Sequence, residues 1–580
     1  MARSVPPRSG PARLAVRLSV RQLSTKAAGQ RSPVRAVAPS ANMGPVKGRL
    51  VFVMHAHLPY VLGHGEWPYG ASWLFEAAAD TYLPLLATLE DLAAQGVRPG
   101  LTLEFTPVLG EQLDDDRFRA GLVGHLGALI DAATRNRDDA ASSGDVERVA
   151  VAAAWRDRYQ ATLDDFERRN RDILSGFGAL DAAGAIELFT CARTHGFLPL
   201  LGSSERTRRQ VSDGVAWFQA RFGRKPRGIW MPECAYRPGG TWQAATGLPS
   251  GGERPGVETF LEAAGLDWTI IDAHLVTKGA PIGNYPPWSA AAGEGLSPHQ
   301  IYTLGDSTVA AFPRDPTTTV QVWSGDVGYP ANPWFLEFHR RHHEGGLRYW
   351  RVTDREVDIG EKAPYEPGRA DTAVAEQGHH FARLVGETIA NTVAAGVEDP
   401  VVLAPYDAEL FGHWWREGVQ WFGAARRELD AAGIAVATAS DALDEVGPAQ
   451  AVRVPAGSWG DGGDFRVWDV PPTADLWRAI YAAEAALDRI QADDATPAPV
   501  LRTVLDQLRR TVLLIESSDW AFLISTGTAV GYATERWRGH AADATFLTEL
   551  AGQLAAGSGL DPAQERRLAD LGERDRVWLP

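Results

Sequence analysis

Two acidic residues in this chain stand where a reaction could be run. Glu233 closes the apolar run PRGIWMPEC (226–234), directly after Pro232, and Asp407 closes PVVLAPYDAEL (400–410). Carboxylates that end buried runs far apart in sequence can meet at one mouth of a sheet. Such a pair is what glycoside chemistry needs: one group attacks the anomeric carbon, the other protonates the leaving oxygen and later deprotonates the acceptor. A separation of roughly 5–5.5 Å gives retention of configuration, and two nearby carboxylates push their pKa values apart, which divides the roles. By itself the pair is equally compatible with structural partners, for example Arg237 beside Glu233.

Histidines form the second constellation. RLVFVMHAH (49–57) ends in His55 and His57, which a strand's period of two puts on one face. His195 ends another run, AIELFTCARTH (185–195). Three readings stay open on these residues: hydrogen-bonded core histidines, zinc ligation by His-x-His with a carboxylate, and recognition of sugar hydroxyls by imidazole.

These residues need elements that aim them. The apolar runs at 49–57, 185–195, 226–234, 267–274, 400–410 and 433–441 alternate with helical periodicity such as 257–266 and 376–397. Strands alternating with helices imply a parallel sheet, and continuous apolar strands imply burial on both faces. The reactive residues cluster at the C-terminal ends of the runs, as in an α/β barrel. No glycine-rich phosphate loop follows the first run, which disfavours an open doubly wound sheet. The predicted organisation is an N-terminal extension (1–46), a barrel (47–450) with a helical insertion at about 111–182, a tryptophan-bearing loop (451–472) and a helical C-terminal domain (473–580). A second loop at 278–300 has no period and is expected to cover the site.

Composition bounds the alternatives. With 580 residues, a net charge of −16 and no apolar run long enough to span a bilayer, the chain reads as a soluble, cytoplasmic, multidomain protein that binds neither nucleic acid nor membrane. Its two cysteines provide no disulfide framework, and its 20 tryptophans suit either a large core or platforms for sugar rings. Residues 1–42 hold eight basic and no acidic residues; a disordered tail or a stretch upstream of a true start at Met43 is expected ahead of an organellar transit peptide.

HAHLPY, LFTCARTHGFLP, GIWMPECAYRP, PYDAELFGHWW and DWAFLISTGTAVGYA occur in the order of the five motif regions of glycoside hydrolase family 57. From Met43 onward the chain resembles that family, nearest its glucan-branching group. The resemblance implies a distorted (β/α)7 barrel with an inserted helical subdomain and a C-terminal helical domain. It also implies a retaining transglycosylase that cleaves α-1,4 links and forms α-1,6 branches without metal or other cofactor, with α-1,4-glucan as donor and acceptor. Glu233 matches the family's nucleophile and Asp407 its acid/base. His55, His57 and His195 match imidazoles around the cleaved sugar. Trp73, Trp323, Trp459 and Trp468 match aromatic positions along the glucan, Arg314 and Asp519 match substrate contacts, and Tyr285 falls in the covering loop. Ala331 stands where the family usually has glycine. A monomer or weak homo-oligomer is expected. The alternatives are an α-amylase or 4-α-glucanotransferase of the same family, a zinc-dependent carbohydrate deacetylase, and a non-catalytic glucan-binding protein.

Overall fold

The computed structural model describes residues 47–248, 251–282, 295–493 and 498–580. Seven parallel strands make the barrel: β1 (Arg49–Ala56), β2 (Leu101–Phe105), β3 (Glu187–Cys191), β4 (Gly228–Trp230), β5 (Trp268–Ile271), β6 (Ala310–Pro313) and β7 (Val401–Asp407). They run in the order β7-β1-β2-β3-β4-β5-β6. A single parallel bridge, Arg314 to Leu403, joins the end of β6 to β7, with the Asp315 N–H donating to the Leu403 carbonyl at 2.8 Å. The ring therefore closes, as the sequence predicts. Every residue of β1 is buried, which is why its sequence is apolar without alternation.

The run at 433–441 contributes only Ala435–Val436, which pairs with β1 outside the barrel path. Two barrel strands, β2 (LTLEF) and β6 (AAFP), lie outside the predicted runs. Both are short; β2 has a single β-branched residue and a glutamate, and β6 has none and is half alanine, so neither offers a strong strand signal.

Register decides what meets at the C-terminal edge. His55 sits opposite Asp407 on one side and Glu104 on the other. Side chains at matched register share a sheet face, so one imidazole is flanked by two carboxyl groups.

Between β2 and β3 run two long helices, α1 (Asp116–Ser143) and α2 (Val146–Arg168). Asp115 caps α1 by accepting from the Arg117 N–H, Gly144 ends it at φ 74°, and Asp145 caps α2 by accepting from the Arg148 N–H. After the barrel come α3 (Ala474–Asp493), α4 (Pro499–Ile515), α5 (Ser518–Ser525), α6 (Val530–Ala555) and α7 (Pro562–Arg574). Leu476, Ile515 and Trp520 from this helical region share a core with the β4–β6 side of the barrel, so residues 45–580 form one compact unit. The start of α5 is tied into the barrel mouth: the Ser518 N–H donates to the His195 carbonyl at 3.0 Å, and Ser517 bridges Gly196. No described helix is long and apolar enough to cross a membrane.

Candidate active site

Three residues past β4 the chain takes up a conformation that costs energy. Glu233 has φ 63° and Cys234 φ 49°, and His195, just past β3, has φ 58°. Each is a left-handed backbone on a residue with a Cβ, at a cost on the order of 1–2 kcal/mol. Consecutive strained residues at strand ends are held by their surroundings. For Glu233 these are the Trp459 backbone N–H donating to its carbonyl at 3.0 Å, the Trp459 Nε1–H donating to its Oε2 at 2.8 Å, and the Ser518 hydroxyl donating to its Oε1 at 3.0 Å.

Glu233, just past β4, and Asp407, at the end of β7, lie on opposite sides of the ring. Burial pushes the Glu233 carboxyl up to about 7; the charges of Asp519 and Asp407 push the same way, while the donors from Trp459 and Ser518 pull it back. Burial raises Asp407 well above the usual carboxylate range, with the charge of Glu409 adding to it and Arg314 opposing. One acid thus receives two hydrogen bonds that favour its anion, and the other keeps its proton. That asymmetry is what a nucleophile and a general acid require.

The three histidines form a stack. The His57 and His195 rings lie 3.9 Å apart at 17°, His55 is 5.1 Å from His195, and His55 is stacked on Trp230 at 4.7 Å and 7°. His55 Nδ1 shares a hydrogen bond with Glu104 Oε2. Burial drives His55 well below its ordinary value and Glu104 well above, so the pair is neutral. His57 Nε2–H donates to Asp519 Oδ2 at 2.9 Å, and its Nδ1 accepts from the Thr106 hydroxyl at 2.9 Å. Burial raises the Asp519 carboxyl, but the hydrogen bonds it accepts from His57 and the Ser517 hydroxyl help hold it well below the usual carboxylate range. Because the Ser518 hydroxyl spends its proton on Glu233, His195 Nδ1–H must donate to Ser518 Oγ at 2.8 Å. His195 Nε2 is left as a buried bare acceptor with no partner among the described residues. A ligand hydroxyl would satisfy it.

His57, His195 and Asp519 offer donor atoms within 4.8 Å of one another. Their geometry does not suit zinc. Near-parallel stacked rings aim their in-plane lone pairs side by side rather than at one point, and His57 Nε2 carries a proton toward Asp519.

Opposite the stack, Arg314 is buried and donates to Asp272 Oδ2, with its guanidinium 5.5 Å from the Trp459 ring. It forms no surface pair with its neighbour Asp315, whose carboxylate instead accepts from His299 at 2.9 Å and caps the following helix. Asp272 Oδ1 also accepts from His274 Nδ1 at 2.7 Å, and His274 Nε2 donates to the Gly463 carbonyl at 3.0 Å. This chain of contacts pins the loop that carries Trp459.

The remaining expected residues fall in different places. Trp323 lies 6.0 Å from Trp459 and lines the same side of the mouth. Trp73 packs edge-on to Tyr69 and Tyr532 at 5.1 and 5.8 Å. Ala331 ends a single turn, Tyr329–Ala331, with its N–H bonded to Gly328. Trp468 departs from expectation: its ring is 1% exposed and packs on Phe197 at 4.7 Å, so it backs the loop and presents no face to a ligand. Tyr285 lies outside the described residues. Four groups escaped the sequence reading: Glu104, Ser518, Asp272 and Tyr82. The Tyr82 hydroxyl donates to Glu409 Oε1, which also accepts from the His57 N–H at 3.1 Å. Asp272 lies in the apolar run 267–274, the one signal that could have found it, whereas Glu104 lies in a strand the sequence did not mark.

Residues 51–455 match the model of glycosyl hydrolase family 57, and residues 479–577 match that of the 1,4-alpha-glucan branching enzyme C-terminal region. A 1,4-alpha-glucan branching enzyme of Thermococcus kodakarensis is 37% identical over 538 residues, covering 92% of this chain and 78% of that protein. The crystal structure of a branching enzyme from Pyrococcus horikoshii superimposes with a TM-score of 0.84 at 35% identity, over 92% of this chain and 95% of that one. That of an α-amylase from Thermotoga maritima gives 0.76 at 28%, over 92% and 97%. The chain belongs to glycosyl hydrolase family 57.

Proposed function

We propose that this chain is a 1,4-α-glucan branching enzyme with a retaining, double-displacement mechanism. Glu233 attacks C1 of an α-1,4-linked glucose. The C1–O4 bond breaks, and O4 takes the proton of Asp407, leaving a glycosyl ester on Glu233. Asp407, now a carboxylate, takes the proton of a 6-hydroxyl on a second glucan segment. That oxygen attacks C1, the ester bond breaks, and an α-1,6 branch results. The observation that carries this reading is the pair of carboxyl groups at the C-terminal ends of β4 and β7, on opposite sides of the ring, one of them held by hydrogen bonds from Trp459 and Ser518. Similarity to branching enzymes along most of the chain supports the 6-hydroxyl as acceptor. His195 Nε2, as a bare acceptor, takes a hydroxyl of the bound sugar. His55, His57 and Asp519 keep that face ordered, and Trp459, Trp323 and Trp73 offer rings to the glucan. The protein works in the cytoplasm on glycogen-like glucan, as a monomer or weak homo-oligomer.

Hydrolysis is the second reading, favoured by the likeness to the Thermotoga maritima amylase. Incubation with amylose separates the two. Loss of iodine staining with few new reducing ends supports transfer, and staining lost in step with many reducing ends supports hydrolysis.

A further inference from the structure

A cavity of about 1120 Å³ opens beside the catalytic centre and contains neither Glu233 nor Asp407. Its walls are the helical run 71–94, α1, α2 and the loop 341–348. Side chains four apart line it from α1 (Arg117, Gly121, His125, Leu129) and from α2 (Trp155, Tyr159). That spacing puts each set on one helix face. The volume lies just above the ordinary ligand range of roughly 300–1,000 Å³, enough for several sugar rings rather than one. Three acids, Glu66, Glu76 and Asp80, are balanced by three arginines, Arg117, Arg341 and Arg348. A balanced lining mixed with Phe75, Trp155 and Tyr159 suits a neutral polyhydroxyl chain and gives an anion no net attraction. His125 lines the cavity with a buried Nε2 that has no partner among the described residues, an unfilled hydrogen-bonding position.

The cavity is joined to the centre by one wall. Glu76 lies 3.8 Å from His413 Nδ1, Arg348 donates to the His413 carbonyl at 3.2 Å, and Gly412 is pressed so closely on the Asp80 carbonyl that a Cβ there would meet it at 2.0 Å. His413 and Gly412 follow Asp407 in the same segment. We infer that this cavity is a second α-1,4-glucan subsite, holding a stretch of chain away from the scissile bond and so favouring long glucans. This rests on the transferase reading above.

The test uses the full chain in a Glu233→Gln background, with maltoheptaose and amylose as probes and hydrogen exchange as readout. Protection of peptides spanning 117–129 and 341–348 is expected, in addition to protection at the barrel mouth. In the active protein, Leu129→Trp, which fills the cavity, and Arg341→Ala, at an exposed position, are each expected to raise KM for amylose by ~10-fold, with kcat within about twofold. Should Leu129→Trp fail to fold, Arg341→Ala carries the test alone. Protection confined to the mouth, or an unchanged KM in a folded variant, overturns the subsite. A parent protein that neither binds nor converts amylose overturns the transferase reading instead.

Discussion

Glu233 owes its charge state to two donors, and one of them can be removed with little change of shape. Trp459→Phe keeps a ring against Trp230 and Arg314 and deletes the N–H aimed at Glu233 Oε2. A hydrogen bond to a charged group contributes about 1.5–3 kcal/mol, so its loss is expected to raise the Glu233 value by ~1 unit and lower kcat roughly tenfold. The nucleophile works as the anion, and burial already sets its carboxyl at about 7. Activity is therefore lost as pH falls through that value, and in Trp459→Phe the acid limb of the kcat/KM profile moves to higher pH. An unmoved limb would contradict the role given to Trp459. Glu233 and Asp407 were legible because each ends a long apolar run. Glu104 and Ser518 were not, because their meaning comes from what tertiary register sets beside them: His55 for one, Glu233 and His195 for the other. Trp468 misled because ring type says nothing of burial.

Elements aim these residues, and the sequence revealed most of them through apolar runs, some of which, like that around the three-residue β4, extend past the strand itself. β1 and β7 were plain because eight and seven consecutive residues form each strand. β2 and β6, with five and four residues, were hidden by their composition and are fixed by pairing with longer neighbours. The helices of the insertion announce themselves by their caps, Asp115, Gly144 and Asp145. What their sequence could not reveal is how closely α1 meets the 71–94 run. At Gly121 a Cβ would stand 2.2 Å from Phe75 Cζ, so any larger residue must displace the Phe75 ring. Gly121→Ala is expected to cost about 1–3 kcal/mol through displaced packing. Chemical denaturation checks it, and a stability equal to the parent's would show that the crossing yields freely.

Across the whole molecule, the C-terminal segment returns to the loop that follows β1. His64 Nε2–H donates to Asp575 Oδ1 at 2.6 Å, Arg574 donates to Asp575 Oδ2 at 2.6 Å, and Arg193, two residues before His195, donates to the Trp578 carbonyl at 2.7 Å. Arg536 and His540 pack on the same cluster. Burial lowers His64 to about 4, whereas the unfolded chain's imidazole titrates near ~6.5. Below ~6.5 the unfolded chain takes up a proton that the folded one refuses, so this contribution to stability is complete above that pH and is lost as pH falls from 6.5 toward 4. A Tm that drops over this window, with a shallower drop in His64→Gln, is the expected outcome; identical pH profiles would remove His64 from the anchor. The whole depends on the two carboxyl groups acting as one transferring centre, and linkage analysis of amylose by proton NMR tests that most directly. The expected result is new α-1,6 signals with few new reducing ends in the wild-type protein and neither in Glu233→Gln. Abundant reducing ends without α-1,6 signals, or unchanged branching in Glu233→Gln, would contradict it.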